Sequence, residues 1–319
     1  MSRIVCIGIC TVDAIARTVD EYPSPGGLRL FDDLTITTGG NAVNCSIALA
    51  KMGIACDLIV KVGDDVLGQF VLAEALRHNI DTSGVIRDAA GTTTPFTFAC
   101  VRADGQRSFF HTMGTNATLR LEEIDMRIVG RAKFCFVTGT MIMTALDGPP
   151  TAELLRRGRD AGAVTLLDTV YVDAARHWRE AVEPCLPHLD YFIPSEPEAA
   201  AITGQVDPAR VAEALQAKGC RNVVIKMGAA GAFWRDAGGK NGRCPAFAVP
   251  KVVDTTGAGD CWSAGFLAGL LRGEPLPQAV DLGNATAAFG IQAPGASTGV
   301  RPLPEILQFR STAGRLPAT

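Results

Sequence analysis

The stretch DTTGAGDCWSAGFL, residues 254–267, decides how the rest of the chain is read. Ala264, Leu267 and Leu271 share one helical face, and Gly273 and Pro275 follow where a helix would stop. The pattern predicts a helix from about 259 to 272, with Gly257, Ala258 and Gly259 at its N-terminus. The first turn of a helix has unpaired N–H groups and a partial positive charge. Small residues let an anion touch that backbone, so the segment reads as an anion hole. Asp260 would repel a resting phosphate there. It makes sense facing a second reactant whose hydroxyl it deprotonates. Donors for a migrating charge and a base for the nucleophile are the two parts of a phosphoryl-transfer site. An aspartate is a weak base toward an alcohol, yet it accepts the proton late, once oxygen is bonding to phosphorus. An acid at an ordinary helix start is the plainer alternative.

Working outward, TTGGNAVNCSIALAKMG (37–53) repeats the design. Gly39 and Gly40 precede an apolar-faced helix whose first turn holds Asn41 and Asn44. An amide side chain both donates and accepts, which suits neutral hydroxyls. Upstream, GICTVD (8–13) is expected to end the first strand with Asp13, a carboxylate aimed into the ligand crevice.

The chain has 319 residues, 47% of them apolar, enough for one large α/β domain or two modest ones. Its net charge is −3 with no basic run, which argues against a nucleic-acid or membrane-surface partner. No apolar stretch approaches the ~18 residues of a membrane span, and the N-terminus reads as a strand rather than a signal peptide. The ten cysteines form no C-x-x-C pair and read as small core residues in a reducing cytoplasm. Buried strands are expected at 4–9, 57–62, 134–138, 164–168, 191–193 and 223–227, alternating with helical patterns. That alternation implies a mostly parallel sheet covered on both faces. Residues 29–40 and 92–112 instead alternate with period two, and Asp104-Gly105 marks a hairpin. They predict a small second sheet over one edge of the core, and STAGRLPAT (311–319) reads as a loose tail.

Taken in order, Gly8 to Asp13, Gly39-Gly40 to Asn44, VGDDVLG (62–68) and DTTGAGD resemble the ribokinase, or phosphofructokinase-B, family of carbohydrate kinases. The resemblance runs from Ile4 to about Pro304. It implies one ribokinase-like domain over 1–319, an α/β three-layer sandwich with a β-sheet lid formed by insertions at about 14–38 and 92–113. It implies ATP as phosphoryl donor, Asp260 as catalytic base and residues 257–259 as the phosphate cradle. Asp13, Gly39, Gly40, Asn41 and Asn44 would line the sugar site. PSEPEA (194–199) matches the family's Asn-x-x-Glu motif in part, with Ser195 replacing the Asn and Glu198 helping to hold Mg²⁺ through water. KMGAAG (226–231) matches the nucleotide-side loop through Gly228 and Gly231, with Lys226 replacing the common Thr or Ser. Asn284 matches a position at the adenine. Asp254 and Thr256, with carbonyls near Gly290, Ala293 and Gly295, would form a monovalent-cation site suited to K⁺. The resemblance also implies a homodimer through the lid.

The expected activity is ATP-dependent phosphorylation of a primary hydroxyl of a small sugar. A nucleoside kinase would need an apolar base slot, for which Phe96, Phe98 and Met141 are candidates. A 2-keto-3-deoxygluconate kinase would need an inward arginine, for which Arg102 and Arg107 are candidates. A non-catalytic sugar sensor would not need Asp260. No dinucleotide fingerprint follows the first strand and no Walker-type loop is present. The roles of Asp168, His111 and Asn116 stay open at this level.

Overall fold

Continuous apolar runs, too long-sided for a half-exposed sheet, build the centre of the molecule. The computed structural model describes residues 3–172 and 177–317. In chain order its elements begin with β1 (Ile4–Gly8), β2 (Thr11–Arg17), β3 (Asp33–Gly39), α1 (Asn41–Lys51), β4 (Cys56–Ile59), β5 (Lys61–Gly63) and α2 (Val66–Arg77). There follow β6 (Ile86–Asp88), β7 (Phe96–Val101), β8 (Arg107–Thr112), α3 (Met126–Gly130), β9 (Phe134–Thr140), α4 (Pro149–Asp160) and β10 (Val164–Thr169). The C-terminal half adds α5 (Trp178–Val182), β11 (Tyr191–Phe192), α6 (Glu196–Thr203), α7 (Pro208–Ala217), β12 (Asn222–Lys226), β13 (Ala232–Arg235) and β14 (Asn241–Cys244). Three helices close the chain: α8 (Ala258–Leu271), α9 (Leu276–Gly290) and α10 (Leu303–Thr312).

The main sheet has the order β14-β13-β12-β11-β10-β9-β1-β4, parallel from β12 to β4 and antiparallel at the β14-β13-β12 edge. Strand parity splits its side chains between two cores. Ile4 and Cys6 pack with Val43, Ile47 and Leu267 on one face; Val5 and Ile7 pack with Leu154, Leu155 and Leu215 on the other. All ten cysteines are buried free thiols.

The second sheet has the order β3-β2-β7-β8. Asp13, Thr97 and His111 form one cross-strand row on its inner face, and Arg17, Val101 and Arg107 another. Four expectations need correction. Asp13 does not end the first strand: β1 stops at Gly8 and Asp13 lies inside β2, a lid strand, because residues 11–17 carry their own period-two pattern. The 57–62 run divides between β4 in the main sheet and β5, which pairs with β6. Phe96 and Phe98 share the opposite strand face from Thr97 and so turn away from Asp13, which removes them as a base slot. The tail is anchored as far as described: Arg315 stacks 3.5 Å over the Phe247 ring and pairs with Asp281.

Candidate active site

Gly257 caps α8 with φ +69°, and a Cβ there would stand 2.4 Å from the Ala296 Cβ. Only glycine tolerates both conditions, so the chain can enter the helix with its first amides uncovered. Asp260 follows in the first turn and is 6% exposed. Its Oδ1 accepts a hydrogen bond from Asn41 Nδ2 at 2.7 Å and its Oδ2 one from Asn44 Nδ2 at 2.8 Å. The two glycine-led helices, α1 and α8, therefore meet at their N-termini. Burial pushes the Asp260 carboxyl up to about 7; the Asn44 donor opposes this and the charge of Asp168 adds to it. A carboxylate titrating near neutrality is suited to accept a proton.

Two cavities flank this meeting point. The larger, about 640 Å³, is lined at its polar end by Asn41, Asp168, Glu198, Lys226 and Gly259. Its far end is apolar, with Phe247, Val249, Ile291 and Leu316. The smaller, about 250 Å³, lies under the inner face of the lid sheet and includes Asp13, Thr37, Thr97, Arg17 and Arg107. The 254–259 segment touches both: Asp254 and Thr256 border the smaller cavity, Thr255, Ala258 and Gly259 the larger.

Among the expected residues, Ser195, Glu198, Lys226, Gly228, Gly231 and Asn284 all line the larger cavity. Ser195 and Glu198 form a reciprocal cap at the start of α6, with Glu198 Oε2 accepting from the Ser195 amide at 2.6 Å. The Asn284 amide is committed elsewhere, accepting from Trp262 Nε1 and donating to the carbonyls of Cys244 and Pro245, so it holds the cavity wall in place. Gly39 abuts Asp13: a Cβ there would fall 2.2 Å from Asp13 Oδ2. Burial raises the Asp13 pKa, with hydrogen bonds from Thr97 and Thr11 opposing.

Sequence reading left Asp168 open. The fold places it at the C-terminal end of β10, 1% exposed, where Oδ2 takes an ion pair from Lys226 Nζ at 2.5 Å and a hydrogen bond from Ser263. Burial raises its pKa to about 6 against the attraction of Lys226. Burial works against the charge on Lys226, but Asp168 and Glu198 beside it outweigh that and hold its pKa above the ordinary lysine value. Its Nζ also lies next to Gly259, 3.6 Å from where a Cβ would project. Phe247, Val249 and Leu316 were missed as well, because nothing in the local sequence says that they face a cavity. Asn116 clamps the backbone of Cys10 at both N–H and C=O, a structural role. His111 bonds Thr97 beside Asp13, and Arg102 bonds the Asp20 carbonyl at the hairpin.

Asp254 holds a different partner from the one expected. Its Oδ1 accepts from Arg107 Nη1 at 3.2 Å and from the Thr256 amide, and its Oδ2 from the Gly295 amide. Arg107 Nη1 also donates to Thr256 Oγ1 at 2.9 Å. Gly290 lends its carbonyl to the Ala293 amide. A lid guanidinium thus contacts Asp254 and Thr256, two of the residues that the resemblance assigned to a monovalent cation.

The whole-chain comparison agrees with this geometry. The model for the pfkB family of carbohydrate kinases matches residues 1–302. The chain belongs to that family. It is 30% identical over 302 residues to a 2-dehydro-3-deoxygluconokinase of Bacillus subtilis, covering 92% of this chain and 91% of that one. Among solved structures, it is similar to a ribokinase of Thermotoga maritima, with TM-score 0.83, 24% identity and coverage of 98% and 100%. It is also similar to an Arabidopsis thaliana ribokinase complexed with ribose and ATP, with TM-score 0.84, 21% identity and coverage of 98% and 100%. This pfkB-family enzyme is a carbohydrate kinase with a ribokinase-like fold, and α8 carries the Gly-Ala-Gly-Asp segment at its N-terminus. Among its described residues no helix is long and apolar enough to cross a membrane.

Proposed function

We propose that this kinase transfers the γ-phosphoryl group of ATP to a primary hydroxyl of a small sugar. The observation that carries the reading is the position of residues 254–259 between two cavities, a larger one that includes Phe247 and Val249 and a smaller one under the lid that carries Asp13, Thr37 and Thr97. A purine fits the apolar end near Phe247 and Val249, with its phosphates running toward Lys226 and Gly259. A sugar fits the smaller cavity against Asp13 and Thr97. Asp260 takes the proton of the accepting hydroxyl as the new oxygen–phosphorus bond forms and the bond to the ADP leaving oxygen breaks. The amides of residues 257–259 and the Lys226 ammonium stabilise the charge on the migrating group.

Asp168, Glu198 and Asp260 place three buried carboxylates around the single ammonium of Lys226. That excess of hard oxygen donors fits Mg²⁺ shared with nucleotide phosphates, and Asp168 and Glu198 would hold it. When bound, Mg²⁺ supplies neutralisation of phosphate charge. Arg107 supplies at Asp254 the positive charge that the resemblance assigned to K⁺.

The partner we assign is a second copy of the chain. On the outer face of the lid sheet Leu34, Ile36 and Phe110 are 47%, 52% and 58% exposed, an apolar surface on a solvent-facing sheet. Sedimentation of the wild type as a dimer and of Leu34→Glu/Ile36→Glu as a monomer supports that assignment; a wild-type monomer overturns it.

The kinase reading is tested by ADP release over a panel of sugars, nucleosides and sugar acids. Turnover that is lost in Asp260→Asn, with nucleotide binding kept, is expected. Ligand binding without turnover in the wild type would assign the chain to sensing instead.

A further inference from the structure

The inner face of the lid sheet is polarised along its strands. At one end, Thr11, Asp13, Thr37 and Thr97 gather beside Gly39. In the middle lie Ile15, Ala99 and Phe109. At the other end Arg17 and Arg107 flank Val101 in one cross-strand row. Two strand spacings separate the arginine backbones by about 10 Å, within the span that two long side chains close around one small anion.

Arg17 is exposed, and among the described residues its side chain has no hydrogen bond or ion pair. Arg107 spends one nitrogen, Nη1, on both Asp254 and Thr256. The rest of its fork is left for a ligand, and a guanidinium edge matches a carboxylate or phosphate bidentately. Neutral sugars give a guanidinium pair no matching charge. The geometry points to an anionic sugar as the substrate, bound with its carboxylate or phosphate between Arg17 and Arg107 and its neutral, hydroxyl-bearing end toward Asp13 and Thr97. Asp13 repels the anion, so the two ends of the cavity fix one orientation of the ligand. The phosphoryl group is therefore added at the end of the carbon chain remote from the anion. This inference rests on the kinase reading and narrows its substrate class.

The test compares ATP-dependent turnover of full-length protein on three matched six-carbon series: neutral sugars, sugar acids and sugar monophosphates. One anionic series is expected to exceed the neutral one in kcat/KM by about 100-fold, the effect of one or two charge-assisted hydrogen-bond pairs. Which of the two series leads identifies the anion. Arg17→Ala is expected to reduce that preference by about 10- to 100-fold, chiefly through KM, and Arg17→Lys to restore part of it. Because Arg17 is exposed, its substitution leaves the fold intact, which an unchanged melting temperature confirms. Preference for neutral sugars, or a preference untouched by Arg17→Ala, overturns the inference and leaves the kinase reading standing. Absence of turnover in every series overturns the kinase reading. Calorimetry with the same acids and phosphates then decides the anion site alone: binding lost in Arg17→Ala supports it, and no binding overturns it.

Discussion

Asn44 Nδ2 lies 2.8 Å from Asp260 Oδ2, and this contact joins the N-termini of α1 and α8 across 216 residues of sequence. With Asn41 on the other oxygen, two neutral donors stabilise the ionised form of a carboxylate that burial would keep protonated. Both asparagines thus act on the Asp260 carboxylate, and Asn41 also borders the larger cavity.

Asn44→Ala removes one donor and raises the Asp260 pKa further above about 7. The base works only when ionised, so the acidic limb of the kcat/KM profile moves to higher pH, by about one unit for the loss of one hydrogen bond to a charged group. At pH 7 activity falls about fivefold, from a half-ionised base to one about a tenth ionised, and recovers as pH rises. A pH–rate profile in which the limb stays put would remove Asn44 from this role.

Asp260→Asn lowers kcat by about 10² to 10⁴-fold, the usual range for a general base. The same variant changes stability in a pH-dependent way. The folded-state pKa of about 7 stands above the ordinary aspartate value of 3.8. The folded protein therefore binds the extra proton, and this residue's favourable contribution is complete below about pH 4 and lost as pH rises through about 7. Urea unfolding at pH 8 should show Asp260→Asn more stable than wild type by about 1–3 kcal/mol, and at pH 4 no more stable.

Gly257→Ala and Gly259→Ala separate folding from chemistry. At Gly257 the positive φ and the 2.4 Å approach to Ala296 make a methyl group costly, about 1–3 kcal/mol or more by chemical denaturation. At Gly259 the nearest atom to a new Cβ is Lys226 Nζ at 3.6 Å, an ordinary contact. Gly259→Ala should melt with wild-type temperature or slightly higher, since alanine favours the helix. Its kcat should still fall at least tenfold, because the methyl projects where the phosphate must sit. Wild-type turnover in Gly259→Ala would argue that the phosphate passes elsewhere.

Lys226→Met leaves Asp168 buried without its cation, at a cost of about 3–5 kcal/mol. Adding Asp168→Asn should recover part of that stability. Recovery of the fold without recovery of the KM for ATP would place Lys226 on the nucleotide; a normal KM in the double variant would make the pair purely structural.

Local sequence determined the parts of this site whose chemistry is carried by near neighbours. Glycines that open a helix start, an acid in its first turn and asparagines in another first turn are short-range patterns, so the two glycine-led helix starts and the positions of Asp260, Asn41 and Asn44 in them are legible in the sequence alone. The strand–helix alternation fixed the sheet class for the same reason: its period is set by backbone geometry. Parity within a strand does not by itself say which sheet the strand joins or which face meets a cavity, so the pattern leads to Asp13 at the end of β1 rather than within β2 and offers Phe96 and Phe98 as a base slot although they face away from Asp13. What tertiary structure alone decided is pairing between distant groups: Asn44 on Asp260, Lys226 on Asp168, Arg107 on Asp254. Such contacts depend on how helices and sheets dock, and docking is set by the summed packing of two cores rather than by any residue near the charges. A side chain's partner across 58, 147 or 216 positions leaves no local trace, because the energy that brings the two together is spent elsewhere in the fold.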